Sequence, residues 1–440
     1  MMKPHKIIIL FIRREKIMRS KKYVVSVLCA IFIFLMLCGG CQKNDKDDAT
    51  AKGKEITYFY NASNEVERKI TEEAIKRYEK KSGNTVKTTT MEGESYKTKI
   101  KTSVASNTLP DVFNYWTGEQ FQTIVESGNV MDLSDLVNAD TEYKQQFIDG
   151  AFDEVTVRDK VYGIPTSVTG QIMFFNKTLF EKAGISEVPS TIEELEEACD
   201  KLNDAGITPI ICGSKDRWPL LGWFSYLAVR YGGVELYTDV TNGKSDTSFA
   251  NPEFVRAGKK LNEISQKYFI NGSMAIDSTA APAQFTAGQA AIFIGGTWDI
   301  GTFASEDHAL ENIEFAPFPA AETDEDAVYG GIANCMAVGA SSDKKEEAYD
   351  LIKEIMSVET ETKKVEETGS LSCMKVDVDK DKMIPLAYDL TEYFNKRASG
   401  FFPYTDQALN PEQAERLLNA MTEIIASPDA DVEEQLQAIK

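Results

Sequence analysis

Two histidines, seven cysteines and four tryptophans are the scarce chemistry-bearing side chains of this 440-residue chain. A histidine metal site, a Ser-His-Asp triad and a Cys-His pair each need a well-placed imidazole. His5 precedes an apolar run and His308 lies in the acidic, loop-like stretch Ala304–Glu311, which reads as exposed surface. Neither position suits catalysis. There is no P-loop and no GxGxxG, Cys199, Cys212, Cys335 and Cys373 form no CxxC, and Gly295-Gly296 lacks the spacing of a phosphate-binding loop. No catalytic residue, metal ligand or cofactor is therefore expected. Carboxylates are abundant, and spacing alone does not identify a glycosidase pair among them, so a secreted carbohydrate-active enzyme stays as a rival reading.

Recognition by aromatic rings fits better. Trp116, Trp218, Trp223 and Trp298 are the only tryptophans, and several stand where a loop follows a strand. Pockets of α/β domains form at such carboxyl ends. One face of a sugar ring is a flat array of C–H groups that packs on an aromatic plane. Its hydroxyls need polar partners in the plane of the ring, which Asn, Asp, Glu and Tyr supply.

The elements that must position these residues alternate along the chain. Ile56–Tyr60 is strand-like. Asn64-x-x-Glu67 resembles a capping box, and Val66, Ile70, Ala74 and Tyr78 follow at helical spacing until Gly83. Thr85–Thr90 reads as a strand, and Leu109–Phe113 leads into another. Ser190-x-x-Glu193 predicts a second capping box, with Ile192, Leu195, Cys199 and Leu202 on one face before Gly206 and a buried strand over Ile207–Ile211. Asp343-x-x-Glu346 opens a further helix, and Asn410 caps one that has Pro411 at its first position. The alternation predicts α/β lobes with mainly parallel sheets, and 440 residues exceed what one core supports.

The ends of the chain differ from its body. Residues 18–22 are basic, Tyr23–Leu37 is an apolar run, and Gly39-Gly40 stand before Cys41. At 15 residues the run is shorter than a membrane span requires. It reads as a signal peptide over residues 1–40, with Met18 as an alternative start. Cys41 is then the lipidated residue, and residues 41–54 form a flexible tether. Residues 1–40 hold eight basic residues and one acid, so the remainder carries 40 basic against 68 acidic residues, a net of −28. Such a surface serves solubility and repels nucleic acid. Cys199, Cys212, Cys335 and Cys373 are too scattered to predict a disulfide and read as small buried thiols.

Five stretches together resemble the family 1 extracellular solute-binding proteins of ABC transporters, the group related to maltose-binding protein. They are Thr108–Trp116 (TLPDVFNYW), Val161–Pro165 with Phe174–Lys177, Phe180–Glu194, Phe285–Trp298, and Phe315–Pro319 with Gly330-Gly331. The resemblance implies a hinged, two-lobed α/β fold of the type II periplasmic-binding-protein class, with the ligand cleft between the lobes. Residues 55–167 and 328–375 would form lobe 1, and 168–327 and 376–440 lobe 2. By matching positions it implies ligand contacts from Trp298, from Asn114, Tyr115 and Trp116, from Thr169, and from Asp216 and Trp218. Asn61, Glu92, Phe401, Phe402 and Tyr404 fall at further cleft positions. The implied protein is a monomeric lipoprotein on the outer face of the cell membrane of a Gram-positive bacterium. Its ligand would be a neutral sugar or oligosaccharide and its partner an ABC permease. A polyamine, polyol phosphate or thiamine-like solute is the alternative ligand.

Overall fold

The computed structural model describes residues 53–439 except 63, 92, 245, 306–307 and 324–325. The predicted signal segment, Cys41 and the tether as far as Lys52 lie outside the described residues. Strand β1 (Glu55–Asn61) pairs in parallel with β2 (Thr85–Met91) and with β3 (Val112–Trp116). Between the first two runs the helix Glu65–Ser82, capped by the Asn64 side chain on the Glu67 N–H at 2.9 Å and ended at Gly83 in the left-handed region. Ile70, Ala74 and Tyr78 face inward at the expected spacing. A small hairpin of β4 (Thr156–Val157) and β5 (Lys160–Val161) precedes the long strand β6 (Gly163–Asn176).

β6 and a second long strand, β10 (Ala327–Val338), organise the fold. β7 (Ile210–Ile211), β8 (Ile292–Gly296) and β9 (Ile313–Ala316) fall between them, and β11 (Leu371–Ser372) and β12 (Gly400–Phe402) follow. The sheet order is β2-β1-β3-β10-β6-β8-β7. At one end β10 lies antiparallel to β3, with Val338 opposite Val112. At the other end it pairs with β12, and Gly330 faces Gly170 of β6. β6 likewise pairs β8 and β9 only from Gln171 to Asn176. Two strands are thus shared between two groups of elements, and β11 joins them at Ser167 and Val168.

The apolar interior divides accordingly. One cluster gathers Ile56, Phe113, Phe121, Ile164, Val338 and Ile352. The other two gather Met173, Trp223, Phe254, Ile292 and Leu417, and Phe174, Phe285, Phe303 and Leu390. The molecule is a two-lobed α/β protein. Its sheets are mixed rather than mainly parallel as expected, because the shared strands enter each lobe against the direction of its own strands.

Local expectations shift in three places. Thr191, not Ser190, caps the helix Ile192–Asp204, accepting from the Glu194 N–H at 3.2 Å, while Glu194 reaches back to Ser190. The strand expected over Ile207–Ile211 shrinks to Ile210–Ile211, since Pro209 lacks the N–H a longer ladder would use. No side chain caps the helix Lys345–Ile355, so Asp343 plays no such part. Asn410 does cap Pro411–Ala426. All four described cysteines are buried free thiols, and burial pushes the Cys212 thiol up to about 12. His308 is exposed and pairs with Glu311 at 2.8 Å.

Candidate functional site

A cavity of about 280 Å³ opens where the two lobes face each other across the shared strands. Alternation along β3 builds much of the first-lobe wall. Phe113 and Tyr115 pack against the core, Tyr115 also reaching the cavity wall, whereas Asn114 and Trp116 turn out into the cavity. Trp116 lies edge-on to Tyr96 (centroids 5.9 Å) and to Tyr115 (5.7 Å), and the Lys97 ammonium sits 5.5 Å over its ring. Asn114 Oδ1 accepts from the Tyr58 hydroxyl at 2.9 Å, and the Tyr96 hydroxyl donates to the Asn114 carbonyl at 2.6 Å. Tyr58 and Tyr60, two apart on β1, stack at 4.8 Å. Burial raises the pKa of Tyr58 and Tyr96, so both stay neutral donors. Asn61 ends β1 with its Oδ1 buried and without a partner among the described residues.

The second-lobe wall is barer. Trp298 follows β8 and meets Trp218, the first residue of the helix Trp218–Thr241, edge-on at 5.9 Å. Tyr404 lies 6.4 Å from Trp298 and donates its hydroxyl to Thr169 Oγ1 at 3.1 Å. Gln171 is 1% exposed, and its Oε1 has no partner among the described residues. Asp299, directly after Trp298, is 5% exposed and, among the described residues, accepts only the Gly296 N–H, at 2.9 Å. Burial pushes its carboxyl up to about 7, against the opposing pull of that hydrogen bond.

Charged groups frame the cavity in two clusters. Lys97 lies 3.4 Å from Glu94 and 3.8 Å from Asp406, the latter reached across the two lobes. Lys364 lies 3.3 Å from Glu67 and 3.6 Å from Glu361, beside the β11 crossing. Burial alone would lower the Lys364 pKa, but the two carboxylates outweigh it and raise it. Among the described residues no group of three His, Cys, Asp or Glu side chains converges as metal ligands would.

Eight of the residues singled out from sequence line this one cavity: Asn61, Asn114, Tyr115, Trp116, Thr169, Trp218, Trp298 and Tyr404. Glu92 lies outside the described residues. The structure does not bring Asp216, Phe401 or Phe402 to the wall. The Asp216 carboxylate is taken by the N–H and hydroxyl of Ser278, at 2.8 and 2.6 Å, so it braces a wall residue instead. Phe402 is packed between Tyr226, Tyr237 and Tyr329 in the core, and Phe401 points away to Phe394. The two alternate on β12, and Tyr404, beyond the end of that strand, is the ring of this run that lines the cavity. Tyr96, Lys97 and Asp299 escaped the sequence reading. For Asp299 a signal existed, an acid directly behind a strand-end tryptophan.

A family model described as bacterial extracellular solute-binding protein matches residues 62–361. A solved structure from work on xylan utilization by the thermophilic bacterium Caldanaerobius polysaccharolyticus superposes with a TM-score of 0.80. It is 30% identical, over 88% of this chain and 100% of its own. The multiple sugar-binding protein of Streptococcus mutans is 22% identical over 82% of this chain and 85% of its own. The diacetylchitobiose-binding protein of Streptomyces coelicolor is 24% identical over 77% and 79%.

Proposed function

The chain belongs to the bacterial extracellular solute-binding proteins, and from that premise we propose that it captures a neutral sugar or short oligosaccharide between its lobes and hands it unaltered to the permease of an ABC importer. The carrying observation is the facing of two kinds of wall. Trp218 and Trp298 present an angled pair of indoles from the second lobe, while Asn61 and Asn114 of the first lobe line the same cavity with amides. Rings for C–H faces and amides for hydroxyls are the two halves of sugar recognition. The solute-binding relatives bind multiple sugars in one case and diacetylchitobiose in another, which supports the same class.

The lobes would divide near the boundaries expected, 55–167 with 328–375 against 168–327 with 376–440, with the second crossing drawn at Ile332–Asn334, where the β10 register breaks. Gly330 and Gly331 precede that break. A Cβ on Gly330 would lie 2.1 Å from the Thr169 carbonyl oxygen, and Gly331 has φ +138°, so only glycine fits both. These strands would be the hinge on which the lobes close over ligand. The second reading is a cationic solute such as a polyamine, favoured over a phosphate by four cavity carboxylates, Glu67, Glu94, Asp299 and Asp406, against Lys97 and Lys364.

Cys41 would carry the lipid that holds the protein at the outer membrane face. Cys41→Ala should move the protein from the membrane fraction to the medium; retention in the membrane would favour an uncleaved apolar anchor. A thermal-shift screen tests the ligand class, because a ligand that binds only the folded state raises Tm. The expected result is stabilisation by neutral oligosaccharides. Stabilisation by polyamines alone would select the second reading.

A further inference from the structure

Asp299 combines three properties that a carboxyl seldom has together. It is 95% removed from solvent, it lines the cavity, and it has no ion-pair partner among the described residues. Its Oδ2 accepts the Gly296 N–H and so closes the turn after β8. Its Oδ1 accepts nothing from any described residue, yet it is not among the sealed unpartnered atoms, so it opens on the cavity. A cap alone needs one oxygen. The second is left over, and a buried acceptor without a donor is costly.

We propose that Asp299 is the polar anchor of the ligand, its free oxygen accepting a hydroxyl of a sugar held against Trp298 and binding it as carboxylate. The inference deepens the sugar reading and rests on it. A hydroxyl donating to a charged oxygen makes a stronger bond than one donating to a neutral amide. It also gives Trp298 and its neighbour complementary tasks, one taking the C–H face and the other an edge of the same ring. A uronate or sugar phosphate would meet repulsion at this point.

The empty site holds its proton up to about neutrality, since burial raises the carboxyl to about 7. The surroundings add no compensating charge. On β6, which pairs with β8 here, Gln171 and Ile172 face this end of the strand. The helix Trp218–Thr241 brings the Tyr226 hydroxyl, which is committed to the Gln171 carbonyl at 2.5 Å. Tyr404 is committed to Thr169, and Lys364, Glu67, Lys97, Glu94 and Asp406 are engaged in the two clusters already described. None of these bonds Asp299. Capture as carboxylate therefore releases a proton whenever the empty site was protonated.

The test uses the full chain in detergent and whichever of xylotriose, raffinose and diacetylchitobiose binds it at pH 8. Affinity should be roughly tenfold weaker at pH 6 than at pH 8, the ionised fraction setting the apparent constant. Calorimetry at pH 6 in two buffers of different ionisation enthalpy should count close to one proton released. Asp299→Asn keeps the size of the side chain and an oxygen for the Gly296 N–H. It should weaken binding about tenfold at pH 8 and abolish both the pH dependence and the proton release, with the thermal transition retained. A wild-type affinity flat across pH, or an Asn variant binding as tightly as wild type, would overturn the anchor and leave sugar capture standing. If none of the three sugars binds at either pH, the sugar reading falls and the anchor with it.

Discussion

The two walls of the cavity are built on opposite plans. In the first lobe the polar groups already satisfy one another: Tyr58 donates to Asn114, Tyr96 donates to the same residue's carbonyl, and Lys97 covers Trp116 while reaching two carboxylates. In the second lobe Trp298 meets Trp218 and Tyr404, the unpartnered Gln171 oxygen is sealed against the helix at Gly222, and Asp299 keeps an acceptor that opens on the cavity. Asn61 is the first lobe's exception. A self-satisfied wall is rigid and gains little from a guest; a wall with unused acceptors gains most. The contrast assigns discrimination chiefly to the second lobe and shape to the first.

That assignment can be broken most sharply through Asp299 itself. An acid whose folded pKa lies above its unfolded value keeps its proton longer in the native state, so its contribution to stability declines as pH rises from about 4 to about 7. Relative to Asp299→Asn, wild-type stability in urea should fall across that window, by about 4 kcal/mol at most. Parallel stability curves for the two proteins would mean the carboxyl is not held in the dry wall described. Next in size is Trp298→Ala, expected to weaken sugar binding by about 1–3 kcal/mol with the fold intact. The same change at Trp116 should cost less affinity, because Lys97 already occupies one face of that ring. Equal losses would erase the difference between the walls.

Smaller effects sharpen the picture. Tyr404→Phe removes the hydrogen bond to Thr169 but keeps the ring beside Trp298. A loss of about 1 kcal/mol in unfolding free energy is expected, with affinity nearly unchanged. The smallest effect belongs to Asp406→Asn, which breaks the contact with Lys97 across the lobes. At 14% exposure on both sides and 3.8 Å, the pair should favour closure by less than about 1 kcal/mol, readable as a modest rise in Kd that high salt conceals.

How much of this was legible in the sequence follows from the range over which each feature is determined. Asn64 and Asn410 announced their helices because a cap depends on three or four neighbouring residues. The cleft positions Asn114, Trp116, Trp218 and Trp298 were legible through aromatics at strand ends and family-like motifs. The box at Ser190 was off by one because Ser190 and Thr191 are both competent caps, and only the backbone decides between them. Phe401, Phe402 and Tyr404 form one aromatic run, and nothing local says which ring a short strand turns inward. The pairing of Lys364 with Glu67, nearly 300 positions apart, forms only when the two chain segments of the first lobe meet, and that of Lys97 with Asp406 only when the lobes come together. The mixed sheet was illegible for the same reason, since strand direction depends on which lobe a shared strand enters from.

Titrating wild type and Trp298→Ala with the oligosaccharide that stabilises the chain best, then recovering and sizing the sugar, separates capture from turnover. One site per chain in wild type, weaker binding in the variant, and a sugar returned at its original length are the expected results. Cleaved sugar would make the protein an enzyme, and an affinity indifferent to the loss of the Trp298 ring would remove that ring from the site.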